Sequence, residues 1–122
     1  MRTVACVALL AATSVAHAQP ADGARLYQRI CQGCHMADAR GAEGAGRYPA
    51  LAGNPRLAAR TYPVHVVLNG RHGMPPFAAW LDDAQVAAVV NHVRSNFGNT
   101  FTDVVTPEEV RGMRPPAPTP HR

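Results

Sequence analysis

Apolar positions recur along this chain in short helical stretches, separated by connections rich in glycine and proline. Leu26 and Ile30 lie four apart, on a segment that opens at Asp22, whose carboxylate can cap a helix. Tyr27 sits beside that edge, placed to pack on a neighbouring helix, and Gly33 is expected to relax the backbone near the helix end. From 36 to 54 the period disappears, and Gly41, Gly44, Gly46, Pro49 and Gly53 predict loop. Residues 54–60 and 62–70 predict two short helices, the second with Pro63 in its first turn and Gly70 just past its end. The run 64–68 is short and β-branched enough to suit a strand, but the flanking Pro63 and Gly70 decide for helix. The clearest helix covers 82–97, with Val86, Val89, Val90, Val93 and Phe97 in one stripe. Asp82 and Gln85 approximate a capping box, Leu81 and Val86 a hydrophobic staple, and Gly98 a stop. Its stripe is expected to pack on the first helix. One more helical turn is expected from Thr106, and the four prolines of 115–122 predict a loose tail. The pattern as a whole predicts an all-α chain.

The first residues follow a different logic. Met1 and Arg2 form a short positive start, residues 4–16 are apolar apart from Thr13 and Ser14, and Ala16-His17-Ala18 fits a small-x-small cleavage site. This predicts a secretory signal peptide over 1–18, with an apolar stretch shorter than the ~20 residues a membrane span needs. Cys6 falls inside it and is expected to leave with it. The remaining domain is small, and a thin core of this size benefits from a bulky apolar cofactor. All 12 basic residues are arginine, and they are scattered, with no run that marks a nucleic-acid surface.

Among the connections, Cys31-Gln32-Gly33-Cys34-His35 carries the strongest chemistry. C-x-x-C-H is the signature of covalent c-type haem attachment. The thiols add to the haem vinyl groups and the histidine ligates the iron. Spacings of three and four residues put all three side chains on one helix face. C-x-x-C also occurs in thiol redox pairs and in zinc sites. The first needs a βαβ context that the pattern lacks, and the second a further Cys/His pair, whereas Cys6 is the one other cysteine. Export without a structural disulfide agrees with both thiols being committed to a cofactor. Two ionised propionates, with loss of Arg2, bring the formal charge of +4 down to about +1.

The second ligand is sought downstream. Met74 lies 39 residues after His35 in the Gly/Pro-rich stretch Gly70-Arg71-His72-Gly73-Met74-Pro75-Pro76-Phe77. A thioether there is the expected sixth ligand, a soft donor that favours Fe(II). His72, Met113 and Met36 are its rivals; Met36 directly follows the proximal ligand and cannot reach the opposite face. Pro49 is a candidate to offer its carbonyl to the ring N–H of His35, Leu51 to pack on the haem edge, and Trp80 to serve either as a core aromatic or as a donor to a propionate.

With these pieces in place, residues 22–98 resemble a class I cytochrome c. The motifs that carry the resemblance are Cys31-Gln32-Gly33-Cys34-His35, Tyr48-Pro49-Ala50-Leu51-Ala52-Gly53, the Met74 stretch and the helix over 82–97. Their order differs from that of the four-helix-bundle cytochromes c′. The resemblance implies several helices wrapped around one covalently bound haem, with N- and C-terminal helices crossing and Gly23 at the crossing. The family usually carries an aromatic residue facing that glycine; this chain has His92. The implied division is a signal peptide (1–18), a cytochrome domain (19–100) and a partly disordered extension (101–122). The segment 97–110 resembles small cytochromes that accept electrons from periplasmic dehydrogenases, which implies a tail that docks on a partner.

The implied function is periplasmic electron transfer by haem c iron held between His35 and Met74, with no substrate chemistry of its own. Implied partners are redox proteins such as a periplasmic dehydrogenase and a terminal oxidase, without nucleic acid and without stable membrane insertion after cleavage. The chain would act as a monomer or as a subunit of a complex. Two other readings stand beside this one: a subunit working only within a dehydrogenase or oxidase complex, and a haem gas sensor or peroxidase with an open sixth site.

Overall fold

A computed structural model describes residues 20–117. The expected signal peptide, Cys6, and the end of the tail from 118 lie outside the described residues.

Asp22 caps the first helix by accepting a hydrogen bond from the Arg25 amide at 3.1 Å. Helix α1 (Gly23–Leu26) passes directly into a π-helical turn, Tyr27–Cys31, and then into α2 (Gln32–His35). The sequence predicted a relaxation at Gly33. The rod instead runs through the whole motif and stops one residue later, at Met36, whose φ of 69° turns the chain away. Open space surrounds the missing Cβ of Gly33, so no steric demand of the fold explains it.

The segment expected to be loop holds a small hairpin, which the glycine-rich composition did not announce. Strand β1 (Ala42–Glu43) pairs antiparallel with β2 (Arg47–Tyr48), Ala42 opposite Tyr48. Residues 54–60 were expected as a helix and form a 3-10 turn over Pro55–Ala58, capped by Asn54. Helix α3 (Thr61–Asn69) follows and ends on Gly70 at φ 71°. The strand alternative for 64–68 is therefore excluded.

Helix α4 (Asp83–Ser95) is the axis of the domain. Its capping box is complete: the Gln85 amide donates to the Asp82 carboxylate at 2.8 Å, and the Asp82 amide donates to the Gln85 side chain at 2.9 Å. The helix ends at Ser95, before Phe97. Phe97 and Gly98 then take positive φ in succession and reverse the chain. The valine stripe proves to be two stripes. Val86 and Val90 pack with Val64, Leu68 and Leu81, and with Val105 and Val110 from the C-terminal segment. Val89 and Val93 pack with Tyr27, Ala39 and Leu57 on the side of the first helix.

Helices α1 and α4 cross at Gly23. A Cβ built there falls 2.2 Å from the Ala88 carbonyl oxygen and 2.9 Å from the His92 Cβ, so the two backbones meet where only glycine fits. His92 takes the place facing that glycine. Its ring lies 5.9 Å from Tyr27 and edge-on to Phe97 at 5.5 Å, and Tyr27 and Phe97 are 4.8 Å apart. A histidine thus completes an aromatic trio by acting as a flat ring. Burial holds its pKa below the usual histidine value, opposed by the smaller pull of Asp22.

The C-terminal segment belongs to the same core. Helix α5 (Pro107–Met113) starts with a second capping box, Thr106 with Glu109. Ahead of it, Asn91 donates to the Val105 carbonyl at 2.9 Å and accepts from the Val105 amide at 2.8 Å, as a β-ladder partner would. Val105 and Val110 are buried on their own domain and are not held out for a partner. Arg94 is 1% exposed. It donates to the carbonyls of Leu57 at 2.9 Å, Ala58 at 3.2 Å and Asp103, and to the Asp103 carboxylate at 2.6 Å. Asn99 donates to Leu51 and Val93 carbonyls, both at 2.9 Å, and accepts from the Asn54 amide at 3.0 Å. Among the described residues, no helix is long and apolar enough to cross a membrane.

Two outcomes follow. Gly23→Val forces the crossing apart and should destabilise the protein by roughly 1–3 kcal/mol, read as a lower midpoint in denaturant at unchanged slope. A depressed histidine pKa stabilises the fold above the ordinary value, and that contribution is lost as pH falls through the lower, folded value. His92→Phe should therefore gain on the wild type as the solution is acidified below about 6.5, in parallel thermal melts across pH.

Candidate functional site

The motif is presented by the rod formed by α1, the π turn and α2. Cys31 ends the π turn, while Cys34 and His35 sit in α2. Insertion of π-helical backbone is frequent at functional sites. Both thiols are free. Cys34 is exposed, whereas Cys31 is half-buried beside the cluster that contains Tyr27 and Leu57, which Leu51 also joins. Burial, reinforced by the neighbouring Cys34, pushes the Cys31 thiol up to about 11, so it stands protonated.

His35 is 7% exposed. Its Nδ1 lies 2.9 Å from the carbonyl oxygen of Pro49 and donates to it. That bond fixes the tautomer and the ring plane, and it leaves the Nε2 lone pair for a metal. The Pro49 carbonyl reaches this place through a chain of local constraints. Gly41, at φ 68°, donates to the His35 carbonyl at 3.1 Å. A Cβ on Gly41 would fall 2.0 Å from the Tyr48 oxygen and 2.8 Å from the Pro49 carbonyl carbon. The buried Ala39 carbonyl accepts from the amides of Leu51 at 2.7 Å and Ala52 at 2.9 Å. The loop therefore closes back on the end of α2 and delivers an acceptor to the ring. Tyr27 braces the same corner by donating to the Met36 carbonyl at 2.7 Å; burial, then Cys31 and Asp38, push its phenol to about 12 and keep it a donor.

Met74 stands half-buried in a tight loop. The Arg71 amide donates to the Met74 carbonyl at 3.0 Å and the Met74 amide to the Arg71 carbonyl at 2.9 Å. A Cβ on Gly70 would collide with the Met74 oxygen at 2.5 Å. Beyond Pro75 and Pro76, the Phe77 amide donates to Val67 of α3 at 2.9 Å. Trp80 is 77% exposed, with its ring edge-on to Phe77 at 6.1 Å, so its reading as a core aromatic is withdrawn. His72 is exposed, and Met113 packs against the core from the end of α5.

These residues fit a haem. Two free thiols three residues apart and a buried imidazole oriented through Nδ1 are features such a group requires, and Tyr48, Pro49, Pro75, Pro76 and Trp80 are individually exposed apolar or aromatic residues on the two motif loops. Among the described residues, no three His, Cys, Asp or Glu side chains converge as a metal cage. Sequence reasoning did not single out Gly41, Arg94, Asn99 or Arg114. For Arg94 a signal existed, since it continues the 86–90 register of the apolar stripe, where a charged residue must find buried partners.

Comparison with known proteins identifies the family. Residues 18–93 match the family described as cytochrome C oxidase, cbb3-type, subunit III. The chain is 32% identical to the fructose dehydrogenase cytochrome subunit of Gluconobacter japonicus over 98 residues, 68% of this chain and 20% of the relative. It is 32% identical to cytochrome c-552 of Thermus thermophilus over 131 aligned positions, 93% of this chain and 79% of the relative. Against the gluconate 2-dehydrogenase cytochrome c subunit of Pantoea cypripedii it is 33% identical over 106 residues, 75% of this chain and 24% of the relative. The alignments to the two dehydrogenase subunits span about a fifth to a quarter of the relative's length. The helical fold, the attachment motif and the family match together place this chain in the cytochrome c family, as an electron-transfer domain with covalently bound haem c and its iron.

Proposed function

We propose that the chain is an exported, periplasmic electron carrier in which Cys31 and Cys34 attach the haem and His35 and Met74 are the axial ligands. The observation that carries this reading is the 2.9 Å hydrogen bond from His35 Nδ1 to the Pro49 carbonyl, which fixes the tautomer with the Nε2 lone pair available as a ligand. The haem supplies one-electron chemistry between Fe(III) and Fe(II). The chain's own contribution is to set the field around that couple. The Pro49 carbonyl raises the basicity of the imidazole. The thioether of Met74 favours the reduced iron, and its loop is held by Gly70, by the Arg71 pairing and by the Phe77–Val67 bond. Leu51 and Pro49 would contact the haem on the His35 side, and the exposed Trp80 would serve as a donor to a propionate.

Partners are redox proteins met through small, transient contacts. The dehydrogenase cytochrome subunits among the relatives support a dehydrogenase as donor, and a terminal oxidase is the complementary acceptor. They equally favour a second reading, in which the domain works as a subunit within such a complex; co-purification with a dehydrogenase at fixed stoichiometry decides for it.

The reduced holoprotein should show a low-spin, six-coordinate c-type spectrum and the oxidised form a weak red methionine–iron band. A high-spin ferric protein that lacks this band and binds CO rapidly overturns the carrier reading in favour of a sensor. Met74→Ala should abolish the band and open the sixth site to CO while the haem remains attached through denaturation. An unchanged spectrum in that variant assigns the ligand elsewhere.

A further inference from the structure

Arg114 closes a contact that the electron-transfer reading leaves unused. It follows α5, and its side chain is only 25% exposed. Its Nη1 donates to the Ala78 carbonyl at 2.5 Å, its Nη2 to the Leu81 carbonyl at 2.6 Å, and its Nε to the Asp83 carboxylate. Arg111 adds a second contact to Asp83 at 3.3 Å. Residues 77–81 form a turn in which the amides of Trp80 and Leu81 both donate to the Phe77 carbonyl at 3.0 Å. The carbonyls of Ala78 and Leu81 point away from that bond and into the guanidinium fork. This turn is the continuation of the Met74 loop: only Pro75 and Pro76 separate Met74 from Phe77. The stiff Pro75-Pro76 pair couples the turn to the methionine, with the Phe77–Val67 bond as the second hold on the same loop. Behind the fork, Val110 and Met113 seat α5 in the core cluster that includes Leu81, and Glu109 pairs with Arg60 at 2.5 Å. The fork thus ties the far end of the methionine loop to a helix anchored in the core by Val110.

We propose that the C-terminal helix is a clamp on the distal-ligand loop, with Arg114 as the positioning residue that keeps Met74 from leaving the iron. The clamp rests on Met74 being the ligand. It acts on the closed-to-open equilibrium of the loop, so an added ligand binds the iron in proportion to the open fraction. Lysine replaces the clamp only in part, because one ammonium group does not span two carbonyls and a carboxylate as a planar fork does.

The test titrates the ferric holoprotein with imidazole, following loss of the red methionine–iron band, in wild type, Arg114→Gln, Arg114→Lys and Glu108→Gln. Glu108 is exposed on α5 and serves as the control. Amide hydrogen exchange at Trp80 and Leu81 is measured in the same samples. Arg114→Gln should bind imidazole about tenfold more tightly, equivalent to about 1.4 kcal/mol. Exchange at both amides should accelerate, Arg114→Lys should fall between, and Glu108→Gln should match wild type. Unchanged imidazole affinity in Arg114→Gln overturns the clamp. So does faster exchange at the turn without tighter imidazole binding, which limits Arg114 to a structural role. Should Arg114→Gln fail to fold by far-ultraviolet circular dichroism, the lysine variant decides by the same two readings. A wild type with no red band at all removes Met74 as ligand, and the clamp with it; a wild type with the band and an indifferent Arg114→Gln removes the clamp alone.

Discussion

The close approach of α1 and α4 at Gly23 is the constraint on which the rest of the molecule depends. With 2.2 Å between an added Cβ and the Ala88 oxygen, no other side chain permits this crossing. The crossing fixes the angle of the rod that carries Cys31, Cys34 and His35. It also brings Tyr27 under His92 and Phe97, and Tyr27 in turn holds the Met36 carbonyl where the rod ends. An error of an ångström at Gly23 would be carried along a stiff rod to the attachment motif, so a packing contact becomes a condition for the site's geometry.

A domain this small buries too little apolar surface to be held by its valines alone. It adds polar staples whose partners are backbone groups in segments that lack regular structure. Arg94 gathers the 3-10 turn and the segment after α4; Asn99 joins the 51–54 loop to the end of α4; Asn91 pairs with Val105; Arg114 takes the turn after the methionine loop. Each staple satisfies carbonyls or amides that a helix or sheet would otherwise satisfy. Arginine suits this task because its planar fork reaches several acceptors at once, and the chain uses arginine for all of its non-histidine cations. The outcome is a set of loops that are hydrogen-bonded throughout without being regular.

His92 shows how a family feature can change while its physical role persists. The crossing needs a flat, largely apolar surface against Tyr27 and Phe97, and a neutral imidazole provides one. The substitution links the crossing to pH, because charging that ring in a partly buried place is unfavourable.

What the sequence determined by itself was local. Cys31, Cys34 and His35 share a face because of helical spacing, the capping box at Asp82 and Gln85 closes within one turn, and Gly70 and the Pro75-Pro76 pair stiffen the Met74 loop over a handful of residues. These signals act over distances that the chain spans by bond geometry alone. Tertiary structure decided what periodicity cannot carry. A stripe of valines says that a helix face is apolar but not what covers it, so its division between α3 with α5 and the first helix emerged only in the fold. The 42–48 hairpin depends on Gly41 passing against Tyr48 and Pro49, a contact that composition does not register. The partners of Arg94 and Arg114 lie 9 to 37 residues away, and a buried guanidinium is stable only once all of them are in place. The bond from His35 to Pro49 belongs to both: the need for an acceptor is readable from the histidine, but only the closed loop supplies the carbonyl at 2.9 Å.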